Sequence, residues 1–148
     1  MSETTIRQQI FTILSAVAGV GMVYDYERWS NDWGQFIALF KDPATDSILG
    51  WEISRAGVQG NNISNIEEDA THTYLLRGYM SVQDAAATEK TFNTLVETVR
   101  AAFRGNHTLN GACYDAGPAS ATVIDTRMFG GVLCHYAEIR LPVNEILT

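Results

Sequence analysis

Three histidines are the side chains in this sequence best suited to acid–base or metal chemistry. His72, His107 and His135 occur singly, and none belongs to a spacing such as HExxH that places two ligands on one metal ion. His135 falls on an otherwise apolar strand pattern, so we expect a packed or hydrogen-bonded core histidine there. The sequence therefore gives no catalytic residue and no metal ligand, and we predict a protein that is not an enzyme and uses no cofactor.

Two further runs could carry chemistry in principle. The carboxylates of Glu67, Glu68 and Asp69 could bind a hard cation, but consecutive acids seldom converge on one ion and normally form a solvated rim. Gly19 and Gly21 form a GVG run without the preceding strand and following helix that a phosphate-binding loop requires. We interpret that run as the end of a helix.

Composition limits the class of protein. A chain of 148 residues with 46% hydrophobic content can bury one good core, so we expect a single domain over residues 1–148. The net charge of −7 and pI near 4.8 argue against a surface that grips nucleic acid. No cationic leader and no apolar run near the roughly 20 residues of a membrane span occurs, so we expect synthesis in the cytoplasm and no membrane partner. Cys113 and Cys134 match no metal or redox spacing, and two reduced, packed thiols are favoured over a disulfide.

The strongest structural signal runs from Thr71 to Gly105, where a strand pattern passes into a long helix pattern. The strand has mostly apolar even positions, with Gly78 leaving room for another backbone or a large ring. A helical stripe follows, formed by Phe92, Leu95, Val96, Val99 and Phe103. We expect Ser81 and Asp84 to cap this helix and Gly105 to end it in the left-handed conformation.

The remaining elements complete an α+β fold with a mostly antiparallel sheet, an N-terminal helix and one long helix packed on it. The first helix is predicted from about Thr4 to Ala18, with Ser2, Thr4 and Thr5 as possible capping residues. A short helix capped by Asn31 or Asp32 follows. The strand SILGWEISRAGV places Glu52 and Ser54 on its polar face and should pair with the Thr71 strand. The Gly130-Gly131 pair predicts a hairpin between the last two strands. Pro142 indicates that the last strand leaves the ladder there or lies on an edge.

Two segments are candidates for subunit contacts. The string VYDYERW contains Tyr24, Tyr26, Arg28 and Trp29; it is either an aromatic-rich strand with solvated charges or an interface, where aromatic and Arg side chains act as anchors. The second segment, GVQGNNISNIEEDA, has a loop composition and is either a disordered loop or an arm that orders on a neighbouring subunit. Its anchors would be Ile63 and Ile66, with Glu67, Glu68 and Asp69 directly behind them.

Taken together, the order of these elements and several short strings resembles the tail terminator, or tail completion, proteins of long-tailed bacteriophages. The resemblance spans nearly the whole chain and rests on the helix ending in GVG and on the strings VYDYERW, LGWEISR, HTYLLRGY, FNTLVETVRAAF and GVLCHYAEIRLPV. It implies a virion protein that assembles as a homo-hexameric ring on the tail tube, stops tube growth and offers a surface to the head–tail connector. DNA would pass through the ring without specific binding.

Two alternatives remain open at this point. One is a related neck or head–tail adaptor protein. The other is a ferredoxin-like dimeric domain that binds a small apolar ligand between sheet and helices, because similar helix and strand alternation can serve unrelated functions.

Overall fold

The computed structural model describes residues 3–44 and 47–148 and shows an α+β fold. The helices found in these two ranges are α1 (Glu3–Ser15), α2 (Trp33–Leu39) and α3 (Thr88–Arg104). The strands are β1 (Met22–Tyr24), β2 (Lys41–Asp42), β3 (Ser47–Asn62), β4 (Glu68–Ser81), β5 (Asp115–Ala116), β6 (Ser120–Phe129) and β7 (Val132–Leu147). They form one curled, mostly antiparallel sheet, which confirms the predicted α+β class and the mostly antiparallel pairing.

The sheet is organised around the long hairpin of β3 and β4. Its strand order is β1-β3-β4-β7-β5, with β2 beside β3 and β6 beside β7. Strand β1 runs parallel to β3, and β3 pairs antiparallel with β4 as the alternation of the two segments predicted. The predicted hairpin of β6 and β7 is also confirmed, because both Gly130 and Gly131 have positive φ at the turn.

The main core lies on one face of this sheet. The predicted apolar stripe of α3 is buried at every position, and it shares one core cluster with Ile6, Ile10 and Leu14 of α1. The sheet contributes alternate residues of three strands, including Trp51, Ile53, Tyr74, Leu76, Ile139 and Leu141. Apolar side chains recur every 3.6 residues along the helices and every second residue along the strands, so each element presents one apolar face to the shared core.

Gly78 has the role that the sequence predicted, because a large ring occupies the space beside it. Trp51 lies directly opposite Gly78 on β3, and a Cβ atom on Gly78 would stand 2.5 Å from two carbons of the Trp51 indole. On its other side the indole stacks on Phe92 of α3, with ring centroids 6.3 Å apart. Gly78 thus sets the distance between sheet and helix.

We expect Gly78→Ala to lower the free energy of unfolding by about 1–3 kcal/mol, because the added methyl group overpacks a fully buried indole. Urea denaturation measures the change. Gly57→Ala is the matched control, since Gly57 also lies in β3–β4 but has no atom within 4 Å of the added Cβ. Equal effects of the two substitutions would contradict this role of Gly78.

A second, smaller core lies on the opposite face of the sheet, under α2. Phe36 of this helix and Phe40 directly after it pack with Tyr79 and Tyr136, and Asp32 caps the helix by accepting a hydrogen bond from the Gly34 N–H at 3.1 Å. The predicted cap is therefore confirmed. The second core means that both faces of the sheet are covered at this end of the hairpin.

The predicted capping of the long helix is wrong at both ends. Ser81 still belongs to the ladder, opposite Cys134, and Asp84 lies in a 3-10 turn before α3 begins at Thr88. Pairing with β7 holds Ser81 in the strand and prevents it from capping a helix. Gly105 has φ −80° and donates to the Ala101 carbonyl, so the chain stays right-handed there.

The ends of two other predicted elements also differ. Helix α1 ends at Ser15 instead of Ala18, because the chain turns before the positive-φ residues Gly19 and Gly21. The proposed capping residue Ser2 lies outside the described residues. Only Val23 and Tyr24 of the VYDYERW segment lie in a strand, β1, and residues 25–29 leave the sheet beyond the short parallel ladder.

The segment predicted as a long loop is mostly strand. Its ladder continues to Asn62 opposite Glu68, so only residues 63–67 form the turn. A side-chain composition typical of loops does not prevent strand formation, because the hydrogen bonds of the ladder come from the backbone. Strand β7 also supports the far end of the hairpin, since it pairs with β4 as far as Leu147.

Pro142 does not end the last strand, contrary to the prediction. Its carbonyl accepts from the Gly117 N–H, so the backbone of Pro142 faces the gap between β5 and β6. No ladder donor is needed at that point, and β7 continues against β4.

Candidate functional site

The three histidines lie in different parts of the fold. His135 is buried, with Nε2 2.9 Å from Thr88 Oγ1 and its ring stacked on Phe92, which confirms the prediction of a core histidine. His107 is exposed, 3.8 Å from Asp115. Within residues 3–44 and 47–148, no group of three side chains is arranged to hold a metal ion.

His72 belongs to a buried polar chain that the sequence did not reveal. Its Nε2 lies 2.7 Å from Glu145 Oε2, and its Nδ1 lies 3.3 Å from a guanidinium nitrogen of Arg55. These residues come from β4, β7 and β3, so only the strand register brings them together. This hydrogen-bonded group pairs the buried His72 imidazole with the buried Glu145 carboxylate within the sheet.

The first candidate interface segment forms a compact aromatic group. The Arg28 guanidinium lies over the rings of Tyr24 and Tyr26, at 4.5 and 5.1 Å from their centroids. Tyr24 donates its hydroxyl hydrogen bond to the Leu39 carbonyl, which ties the group to α2. Trp29 is 74% exposed and lies beside Phe36 of α2. The structure thus brings these predicted residues together and leaves Tyr26 and Trp29 on the surface.

The second candidate segment lies at the tip of the β3–β4 hairpin. Ile63 and Ile66 are exposed at the turn, whereas Glu67, Glu68 and Asp69 are half-buried. Asp69 accepts a hydrogen bond from the Tyr114 hydroxyl at 2.8 Å, and the Glu68 carboxylate lies over Gly60. Two of the three acids therefore contact their own subunit instead of forming the expected solvated rim.

The two candidate segments do not form one surface. The aromatic group lies beside the part of β3 that pairs with β1, and the hairpin tip lies about ten residues farther along β3, roughly 30 Å away. They are separate surfaces at opposite ends of one hairpin.

A cavity of about 210 Å³ lies beside the aromatic group, between α2 and the sheet. Its floor contains Glu52 and Arg77, which face each other across β3 and β4. Five aromatic residues line it, namely Trp29, Phe36, Tyr79, Phe129 and Tyr136. These rings contact one another, with Tyr79 5.0 Å from Phe129 and 5.4 Å from Tyr136 between centroids, so the walls are preformed.

Glu52 is the unusual group in this cavity. It is only 2% exposed, and its Oε2 has no hydrogen-bond partner among the described residues. Arg77 approaches Oε1 only to 3.9 Å and directs its guanidinium to Glu27 at 2.9 Å. Burial raises the pKa of the Glu52 carboxyl to about 7, against the opposing effect of Arg77.

The sequence did not identify this site. It placed Glu52 on the polar face of its strand, where a charged side chain is normally solvated, and nothing indicated that α2 and residues 27–29 would cover it. The available signal was the opposite charge of Glu52 and Arg77 on strands predicted to pair. That signal becomes specific only once the register is known.

The cysteines and helices add little to the functional question. Cys113 and Cys134 are free, as predicted, and burial raises the pKa of each thiol to about 11, so neither is an activated nucleophile. None of the helices in the described ranges is long and apolar enough to cross a membrane.

Comparison with known proteins does not assign the chain. No protein-family model matches it, and a search of curated proteins returns no significant match.

Proposed function

We propose that this protein is a tail terminator of a long-tailed bacteriophage, a structural virion protein that closes the tail tube as a homo-hexameric ring. Its contacts would be with other copies of itself, with the tail tube protein and with the head–tail connector. The observation that carries the proposal is the pair of exposed apolar surfaces at opposite ends of the β3–β4 hairpin.

Two different surfaces on one chain suit a ring. A ring requires a heterologous contact, in which one surface of a subunit meets a different surface of the next. Trp29 and Tyr26 supply aromatic anchors at one end, and Ile63 and Ile66 supply aliphatic anchors at the other. An isologous dimer would need only one such surface.

Charge supports the same proposal. With a net charge of −7, the chain is poorly suited to holding DNA, because binding depends on Lys and Arg side chains that neutralise phosphates. A protein that surrounds moving DNA benefits from a surface to which the DNA does not adhere.

The sheet order weighs against the ferredoxin-like alternative. A ferredoxin-like fold is built from split βαβ units, in which another strand separates the two parallel strands. Here the parallel strands β1 and β3 are direct neighbours, and the long strands pair antiparallel. A neck or head–tail adaptor protein would also need two contact surfaces. It is therefore the alternative to a tail terminator among structural virion proteins.

Ring formation is tested on the purified chain, alone and mixed with its cognate tail tube protein. We expect six-fold rings in particle images, at least when the tube is present, because some rings close only on their template. Light scattering gives the mass. A stable dimer under both conditions would overturn the proposal.

The aromatic surface is tested by the double substitution Tyr26→Ala and Trp29→Ala. Since Trp and Tyr are enriched among the few interface residues whose truncation costs about 2 kcal/mol or more, we expect at least a tenfold loss of ring formation. Met128→Ala is the matched control, because Met128 is equally exposed but lies on β6, outside both surfaces. Unchanged thermal melting would show that the double variant still folds.

A further inference from the structure

We infer that the cavity over Glu52 is a binding site for one cationic side chain, Arg or Lys, of a neighbouring protein molecule. Its floor has a buried carboxylate oxygen without a hydrogen-bond partner in the part of the chain that the structure describes, and five of its ten lining residues are aromatic. The inference concerns this cavity alone and does not rest on the proposed ring.

The unpartnered oxygen indicates that the cavity takes a hydrogen-bond donor. A buried carboxylate oxygen without a donor loses its hydration and gains nothing in return, which costs more than most single interactions. A binding partner that donates a hydrogen bond to this oxygen removes that cost. Glu52 Oε2 is the side-chain oxygen in this position on the cavity floor.

Three arginines line the cavity, but none of their guanidinium groups donates a hydrogen bond to Glu52 Oε2, because each is directed to other partners. Arg77 pairs with Glu27, and Arg127 pairs with Asp125 while lying over the Tyr136 ring at 4.6 Å. Arg28 lies over Tyr24 and Tyr26.

The walls favour a cation over a neutral donor. Aromatic faces attract cations through their ring quadrupole, and a cage of rings with one acidic group is a common way to recognise an ammonium or guanidinium. Trp29, Phe36 and Tyr79 line the cavity beside Glu52. The titratable and charged groups that line the cavity with Glu52 are Glu27 and Arg28 after β1, Arg77 and Tyr79 on β4, Arg127 on β6 and Tyr136 on β7. Glu138 of β7 lies one strand farther away, opposite Arg77.

Size and exposure indicate a single side chain from another protein. The volume of about 210 Å³ is below the roughly 300–1,000 Å³ of sites that hold a whole small molecule. Trp29 at the rim is 74% exposed, which offers a partner aromatic contact around the inserted side chain.

The test uses the intact protein and the peptide acetyl-Gly-Arg-Gly-amide, with nuclear magnetic resonance of the Trp29 indole N–H as the readout. The control peptide carries citrulline, which keeps the shape of arginine and three of its five N–H donors but has no charge. We expect the arginine peptide to bind at least tenfold more tightly than the citrulline peptide. Binding should be stronger at pH 8 than at pH 6, because the pKa of Glu52 is about 7.

Two variants complete the test. Glu52→Gln should reduce arginine-peptide binding at least tenfold, whereas Glu97→Gln, which removes an exposed carboxylate paired with Arg100 on α3, should leave it unchanged. Any one of three results would overturn the inference. They are equal binding of the two peptides, equal binding of the arginine peptide by Glu52→Gln and the wild type, and no response of the Trp29 signal. A melting temperature of Glu52→Gln at or above that of the wild type would exclude misfolding as the cause of lost binding.

Discussion

Phe103→Ala is expected to lower the free energy of unfolding by about 3–5 kcal/mol, the largest loss that we predict for a single substitution here. Phe103 is 2% exposed and ends the buried stripe of α3, where its ring packs in the main core. Truncation removes the transfer free energy of the ring and leaves a cavity that the sheet cannot fill. Val96→Ala, at a fully buried position of the same stripe, should cost about 2 kcal/mol or more.

Denaturant melts measure both changes, and Ala101→Ser is the matched control because Ala101 is exposed on the same helix. Loss of assembly in the Phe103 or Val96 variant would then follow from unfolding and would carry no information about the interface. If both alanine variants melted like the wild type, α3 would not pack through this face.

The features that sequence predicted well depend on local periodicity. The α3 stripe, the pairing of the two long strands and the Gly130-Gly131 turn each follow from a repeat or a dipeptide that few other structures accommodate. Gly78 was also informative, because a glycine on an apolar strand face often marks the close approach of a neighbouring group.

The features that the sequence did not predict depend on pairing between strands that are distant in sequence. Ser81 matches a helix cap locally, yet the ladder with Cys134 holds it in β4. The polar stretch after Gly57 matches a loop, yet pairing with β4 supplies the hydrogen bonds that its side chains do not suggest. Local propensity is overridden wherever a neighbouring strand satisfies the backbone.

The candidate site illustrates the same limit. Trp29 and Tyr26 could be identified as surface anchors from composition, since aromatic and charged residues alternate without a clear buried face. Glu52 could not, because its burial comes from α2 and the segment around Arg28, which lie more than ten residues away in sequence. Its chemistry arises from the surroundings and not from its residue type.

Those surroundings make Glu52 costly to the folded protein at high pH, so we expect Glu52→Gln to be stabilising there by about 3 kcal/mol. Burial raises the pKa of Glu52 to about 7 in the folded state, whereas the carboxyl ionises near pH 4.5 once the chain unfolds. The folded state therefore holds a proton that the unfolded state has lost, and stability falls as the pH rises from about 4.5 to about 7. A glutamine has no proton to lose and avoids this decrease.

The measurement is the difference in unfolding free energy between Glu52→Gln and the wild type, taken from urea melts at pH 4 and at pH 8. At pH 4 the protonated glutamic acid resembles glutamine, and the difference should be near zero. By pH 8 it should reach about 3 kcal/mol in favour of the variant, since one pH unit of pKa displacement corresponds to about 1.4 kcal/mol. The Glu97→Gln control should show no comparable change between the two pH values, because Glu97 is exposed. A constant difference for Glu52→Gln would mean that Glu52 is already ionised and satisfied in the folded protein, and the unpartnered carboxylate would then be lost as the basis of the cation site.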